Sequence, residues 1–227
     1  MAVNGARGPH GAPNRARLSA VWEIPVKSLL ASGLLALLIA APAAAQTPPT
    51  RDPAQIQAGT YAVDPNHTQV GWRVSHMGFS NYAGGFSDVS GTLELQPKNP
   101  AAAKLAVTIP VASVATTSAK LTDELKGDQW LDAAKFPDMT FVSTKVVPEG
   151  KDRAKVTGDL TLHGVTKPVT LDVTLVGAGV NPLSKKVTVG FEATGTLKRS
   201  EFGVKTYVPL IGDALHLTIA GAFERQE

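Results

Sequence analysis

HTQVGWRVSH, residues 67–76, puts Val70, Trp72, Val74 and His76 on one side of an extended chain and Gln69, Gly71, Arg73 and Ser75 on the other. Side chains of a strand alternate between faces, so a period of two with one apolar set reads as a strand half-buried in a sheet. The pattern recurs in KLAVTI (104–109), KVTGDLTL (155–162), VTLDVTL (169–175), KVTVGFEATGTL (186–197) and LHLTIAGAF (215–223), with Thr, Asp, Lys and Glu on the opposite face. Parallel sheets buried on both faces give continuous apolar runs instead, so the sheet is expected to be antiparallel. Phe86 to Leu95, Met139 to Val147 and a short strand near Tyr61 bring the expected count to eight or nine. Turns are expected at Pro97–Pro100, Pro148–Gly150, His163–Val165, Gly177–Pro182 and Gly212-Asp213, where Gly, Pro and Asp gather. One stretch breaks the rule. In SAKLTDELKGDQWL, Leu121 and Leu125 are four apart and Lys120 precedes Glu124 by four, the spacing of a short amphipathic helix inserted between strands, ended by Lys135-Phe136-Pro137.

A many-stranded sheet with one apolar face must close into a barrel or stack on a second sheet. Strands of about 10 residues tilted near 40° make a barrel about 25 Å tall. Eight such strands have room for their own side chains or for one slender ligand. Aromatic residues are 6% of the chain, so the inward set is chiefly Val, Leu and Ile, which can under-fill a barrel and can equally fill a sandwich core.

Composition narrows the function classes. The chain has 227 residues, 43% hydrophobic and 18% charged, which excludes disorder throughout. Its net charge of +3 belongs to the first 45 residues, which carry Arg7, Arg15, Arg17 and Lys27 against Glu23. Taking those four bases from 22 and that acid from 19 leaves 18 of each sign, so no basic footprint for nucleic acid remains. Lys27 is followed by an uncharged apolar run, Ser28 to Ala41, and then by Pro42 and Ala43-Ala44-Ala45. This is the pattern of a secretory signal peptide over 1–45, with a long n-region that fits an extended leader or a start codon placed too far upstream. The run is shorter than the roughly 20 residues that span a bilayer, and no second one follows, so an exported protein that is not integral to the membrane is expected. There is no Cys, hence no disulfide and no lipidated cysteine, and a domain of about 180 residues can rely on its core alone. Pro48, Pro49 and Pro53 mark 46–59 as a flexible linker, which leaves 60–227 as the domain.

Chemistry-bearing motifs are sparse. His67, His76, His163 and His216 have no metal-site spacing among them and no Cys to join. His163 reads as a turn residue and His216 as a wet-face residue. His76 shares the dry face with Trp72, so it is a satisfied core histidine or a polar group meeting a ligand, and His67 after Asp64-Pro65-Asn66 suits a turn cap. No Gly-x-Ser-x-Gly elbow occurs, the carboxylates Asp88, Asp123, Glu124, Asp128, Asp132 and Asp138 read as a solvated face, and the glycine pairs Gly84-Gly85 and Gly177/Gly179 suit bulges or turns. No catalytic residue, metal or cofactor is therefore expected.

Five strings taken in order, DPNHTQVGWRVSHMGF (64–79), AGGFSDVSGTLEL (83–95), VASVATTSAKLTDELKGDQWLDAAKFPDMTF (111–141), GDLTLHGVTKPVTLDV (158–173) and KRSEFGV (198–204), resemble the YceI-like family of periplasmic polyisoprenoid-binding proteins. The likeness spans about Gly59 to Arg225, with Thr68 where the family often has Ser and Ser200-Glu201 where Asp commonly precedes Phe-Gly. It implies an extended eight-stranded antiparallel lipocalin-like barrel whose lumen holds one long lipid, a polyisoprenoid, an isoprenoid quinone or a fatty-acid-like amide, without a shared catalytic centre. By position it implies a wall of Trp72, Val74, His76, Phe79 and Phe86, continued by Val107, Ile109, Phe141, Leu160, Leu162, Val189 and Phe191, with Trp130, Leu131 and Phe136 near a mouth that a homodimer could cover. Burying some 20 methylene-sized groups contributes on the order of 16 kcal/mol before the cost of immobilising the ligand. The alternatives are a secreted hydrolase using His76 or His67, and a filled-core envelope stress or interaction protein.

Overall fold

The alternating segments pair as antiparallel strands in a computed structural model that describes residues 48–227. The expected signal peptide, and Gln46 and Thr47 of the expected linker, lie outside the described residues. The strand segments are β1 (Gly59–Val63), β2 (Gln69–His76), β3 (Ser80–Phe86), β4 (Ser90–Leu95), β5 (Lys104–Pro110), β6 (Ala115–Thr116), β7 (Asp138–Glu149), β8 (Arg153–Leu162), β9 (Val165–Val180), β10 (Val187–Lys198) and β11 (Ile211–Arg225). The helix α1 (Ala119–Leu125) falls in the insertion, with the Ser118 side chain accepting the Leu121 amide as its N-cap.

Eleven segments make eight staves. β1 and β2 pair successive stretches of the same strand, Tyr61 opposite Arg225 and Val74 opposite Leu215. β4 and β3 line up on their far side, and β5 and β6 follow in turn. Each of the first three staves is thus one strand broken in the middle: by the turn Pro65–His67 capped by Asp64, by Asp88 at φ 56°, and by the turn Val111–Ser113 after Pro110. The pairing of β1 with β11 joins the first stave to the last and closes an eight-stranded meander, in which the two-residue β6 pairs with β3 alone. Staves that bend can curl where straight ones would splay, which suits them to a closed barrel.

Three expected boundaries move. Phe86 to Leu95 is divided by the bend at Ser87–Val89. β9 runs through Gly177–Gly179 to Val180, because Val187 pairs with Val180, and the reversal comes at Asn181, whose side chain accepts the Leu183 amide. Gly212-Asp213 is the irregular start of β11, where the register slips between Ile211 and Leu215, and the connection from β10 runs over Arg199–Leu210 instead. The Gly84-Gly85 pair lies in a regular ladder with Trp72 and Gly71 rather than in a bulge. The His163-Gly164 turn has both residues at positive φ, 52° and 74°, as a two-residue hairpin needs.

The proline-rich segment ahead of β1 makes definite contacts. Thr50 exchanges both backbone hydrogen bonds with Ala178 at 2.8 Å, Arg51 donates through Nε to the Val176 carbonyl, and Ile56 packs on the apolar cluster beneath. That cluster, with Tyr61, Leu93, Leu175, Val189 and Phe223, lies toward the end of the barrel that carries the β9–β10 hairpin. The larger cluster occupies the body of the barrel and the end covered by α1. Among the described residues no helix is long and apolar enough to cross a membrane.

Candidate functional site

Eight staves fix the circumference of the barrel, so whether its interior fills depends on which way the large side chains lie. They lie flat. The Trp72 indole covers Gly84 on the neighbouring strand, where a Cβ would sit 2.7 Å from Trp72 Cε2 and 2.8 Å from the Ala115 carbonyl. Phe141 covers Gly158 in the same way, and Leu171 leans on Gly195. Three glycines thus let bulky groups fold against the wall instead of crossing the lumen. A cavity of about 580 Å³ remains, lined by all eight staves from Ile56 and Leu95 at one end to Trp130 and Tyr207 at the other. This lies within the roughly 300–1,000 Å³ of ligand sites and far above the dry voids of about 150 Å³ that a mutated core tolerates. The interior is not plugged by the protein's own side chains.

The wall depends on those glycines. Gly84→Val is expected to cost about 1–3 kcal/mol and to push the indole into the lumen, whereas Gly190→Ala, whose nearest neighbours stand 3.9 Å away, is expected to be near neutral. Thermal melts of the two variants check this, and equal melting points would contradict the role given to Gly84.

Polar groups on the wall are few and mostly occupied. Glu124 accepts a hydrogen bond from Trp130 Nε1 at 3.1 Å, and Tyr82 Oη lies 3.2 Å from Thr117 Oγ1. His76 lines the cavity with its ring 6.3 Å from that of Tyr82. Arg199, 5% exposed, donates to four carbonyls, of Gly212, Val204, Thr206 and Ile211, at 2.8–3.0 Å, and lies 5.5 Å from the Trp130 ring. Burial holds its pKa below the ordinary value, against a smaller upward pull from the Asp213 carboxylate. The guanidinium therefore serves as a brace that ties the Arg199–Leu210 connection beneath the mouth. No group of three or more His, Cys, Asp or Glu that could hold a metal exists among the described residues.

The same connection carries a pH-sensitive tie. Asp213 accepts from the Ser200 amide at 2.9 Å and the Ser200 hydroxyl at 2.8 Å. Burial pushes its pKa up, but the two Ser200 bonds and the charges of Arg199 and Lys198 prevail and hold it below its ordinary value. A depressed carboxyl contributes stability that is full above its unfolded value, about 3.9, and is lost as pH falls through the folded value. Exchange of the Ser200 and Val204 amides is thus expected to accelerate only below about pH 4, and Asp213→Asn to remove that dependence. An unchanged acid profile in the Asn variant would discard the tie.

Of the residues expected on the wall, Trp72, Val74, His76, Phe86, Val107, Ile109, Phe141, Leu160, Leu162, Phe191, Trp130 and Leu131 line the cavity. Three do not. Phe79 is 91% exposed, because Met77 and Gly78 at φ 55° and 74° reverse the chain before the alternation of β2 reaches it. Phe136 packs on the barrel's outer end, its ring 4.7 Å from that of His163 and 5.1 Å from Lys135 Nζ. Val189 is fully buried in the cluster with Tyr61 and Phe223 near the β9–β10 end and does not border the cavity. His67 lies outside the lumen, its Nδ1 2.6 Å from Asp64 Oδ2 in the turn that bends the first stave. Sequence reasoning left out Leu215, Leu217 and Ile219, although their alternation was plain, and had no signal for Ile56, Tyr82 or Arg199.

A closed antiparallel meander around an apolar cavity is a lipocalin-like binding barrel. The sequence matches the YceI-like domain over residues 61–223, and the chain belongs to that family. Protein YceI of Escherichia coli O157:H7 is 44% identical over 151 residues, covering 66% of this chain and 78% of that protein. Among solved structures, BcnA of Burkholderia cenocepacia is 28% identical with a TM-score of 0.64, covering 70% of this chain and 98% of that one. The YceI protein of Campylobacter jejuni is 33% identical with a TM-score of 0.60, covering 67% and 90%. A polyisoprenoid-binding domain from Saccharophagus degradans, 14% identical with a TM-score of 0.56 over 75% of this chain and all of that one, shares the fold.

Proposed function

We propose that the lumen holds one long apolar lipid, a polyisoprenoid, an isoprenoid quinone or a fatty-acid-like amide, and that the protein is a periplasmic carrier or reservoir for it. The observation that carries this reading is the continuous apolar cavity of about 580 Å³ running the length of the barrel. A narrow, greasy channel favours a slender chain over a compact ring system, since affinity grows with each methylene removed from water, about 0.8 kcal/mol apiece. Binding without turnover fits the wall chemistry, because Glu124 and Arg199 are engaged with the protein itself. Export to the periplasm is supported by the apolar run Ser28–Ala41 and the small residues after it. The S. degradans domain, a polyisoprenoid binder built on the same barrel, supports an isoprenoid as the class of lipid.

Native mass spectrometry of the protein from its own host is expected to show a bound mass that organic solvent extracts and tandem fragmentation assigns to a polyprenyl or acyl chain. Repeated absence of an adduct, together with no uptake of added quinone, would overturn the reading.

A further inference from the structure

Four large apolar side chains stand in water at the end of the barrel that α1 covers. Met77 is 51% exposed, Phe79 91%, Tyr207 60% and Leu210 63%. They come from two loops laced together, for the Met77 amide donates to the Leu210 carbonyl at 2.9 Å. The backbone holds Met77 and Tyr207 at φ 55° and 58°, a conformation disfavoured for residues with side chains. Met77 and Tyr207 also line the cavity, so the exposed patch is continuous with the apolar lumen. The opposite mouth differs: its lining includes Gln96, Lys151, Asp152 and Arg153.

The chemistry of the rim selects its partner. From His76 to Phe86 there is no charged residue, and from Phe202 to Gly212 there is only Lys205. The neighbouring insertion carries Asp123, Glu124, Asp128 and Asp132 against Lys120, Lys126 and Lys135, close to balance. The connection also carries Glu201, and Glu124 and Asp128 border Tyr207, but no carboxylate falls between Met77 and Phe86 or between Phe202 and Leu210, and Phe, Tyr and Lys side by side are the residues of a membrane interface. The area argues in the same direction. Four side chains make a small patch, whereas a stable dimer buries roughly 800 Å² per partner over about 20–30 residues a side.

We propose that this rim docks on a lipid bilayer, Phe79 and Leu210 entering the headgroup boundary, so that the apolar mouth opens against the membrane. The inference rests on the lumen being a lipid site and adds where loading takes place. A lipid leaving the bilayer there passes from one apolar surface to another without crossing water, a step that an isolated barrel could not offer.

The chain has no cysteine, so single labels are specific. Leu210→Cys carrying a polarity-sensitive dye is mixed with vesicles of phosphatidylethanolamine and phosphatidylglycerol, beside Leu183→Cys at the far end of the barrel, where Leu183 is also exposed. A blue shift is expected at position 210 and none at 183. Adding Phe79→Asp is expected to raise the lipid concentration needed for half the shift by about tenfold or more. Equal shifts at both positions, no shift at 210, or a shift that survives Phe79→Asp would overturn the proposal. A shift that grows with protein concentration without vesicles would assign the rim to a second copy and overturn it as well. Uptake of a soluble apolar fluorophore into the lumen is measured in parallel and is expected to be unchanged by Phe79→Asp. Docking without uptake sinks the lipid-site reading and the loading role with it but leaves the rim a membrane-docking surface, and uptake without docking sinks this inference alone.

Discussion

Ala193→Trp is expected to abolish binding of a long lipid while leaving the barrel folded. Ala193 faces the lumen from the middle of β10, between Val173 on β9 and Ile219 on β11, which line the same cavity. An indole placed there enters open space, so it meets little of the strain that enlarging a filled core imposes. It takes the room of roughly five methylenes of ligand, about 4 kcal/mol of lost burial, or roughly a thousandfold in affinity. Thr194→Trp, one residue along and on the exposed outer face, is the matched control and is expected to bind normally. Titration with an isoprenoid quinone, alongside thermal melts, reads both quantities. Undiminished binding by Ala193→Trp would mean that the ligand does not traverse the lumen.

Much of this architecture is legible in the sequence because the physics that writes it is local. A strand with one dry face must alternate, so VTLDVTL and KVTVGFEATGTL display their inward sets directly. The helix in the insertion is legible for the same reason, through Leu121 and Leu125. What alternation cannot report is where a stave breaks. Asp88 at positive φ and the capped turn at Asp64 divide staves at points that look like ordinary strand ends, and Phe79 falls beyond the separate Met77-Gly78 reversal between β2 and β3. Nor does it report where a residue lies along the barrel, which separates Val189, buried in the cluster near the β9–β10 end, from Phe191 on the wall. The glycines under Trp72 and Phe141 are invisible for a related reason. Their meaning is a cross-strand register, and register is a property of two segments together. Arg199 is the extreme case, since all four of its acceptors are backbone carbonyls, which every sequence has.

That brace carries the second large effect. Arg199→Ala is expected to destabilise the protein by about 3–5 kcal/mol, lowering the melting temperature by about 10 °C, because it strips partners from carbonyls that are largely shielded from water. Arg199→Met separates packing from hydrogen bonding: it keeps an apolar stem against Trp130 but satisfies no carbonyl, and is expected to recover only a minor part of the loss. Arg199→Lys is expected to do little better, since a single ammonium cannot serve all four carbonyls, which the planar fork divides among Nε (Gly212), Nη1 (Val204) and Nη2 (Thr206 and Ile211). The damage should also be localised. Two of the acceptors, Val204 and Thr206, belong to the connection that holds Tyr207 beside Trp130, with ring centroids 6.1 Å apart, and the other two, Ile211 and Gly212, begin β11, so amide exchange is expected to rise first between Phe202 and Ile211 and much less in β8 and β9. Full rescue by lysine would show that charge rather than geometry is what the site requires. Uniform loosening of the whole barrel would show that Arg199 supports the fold at large and not the mouth.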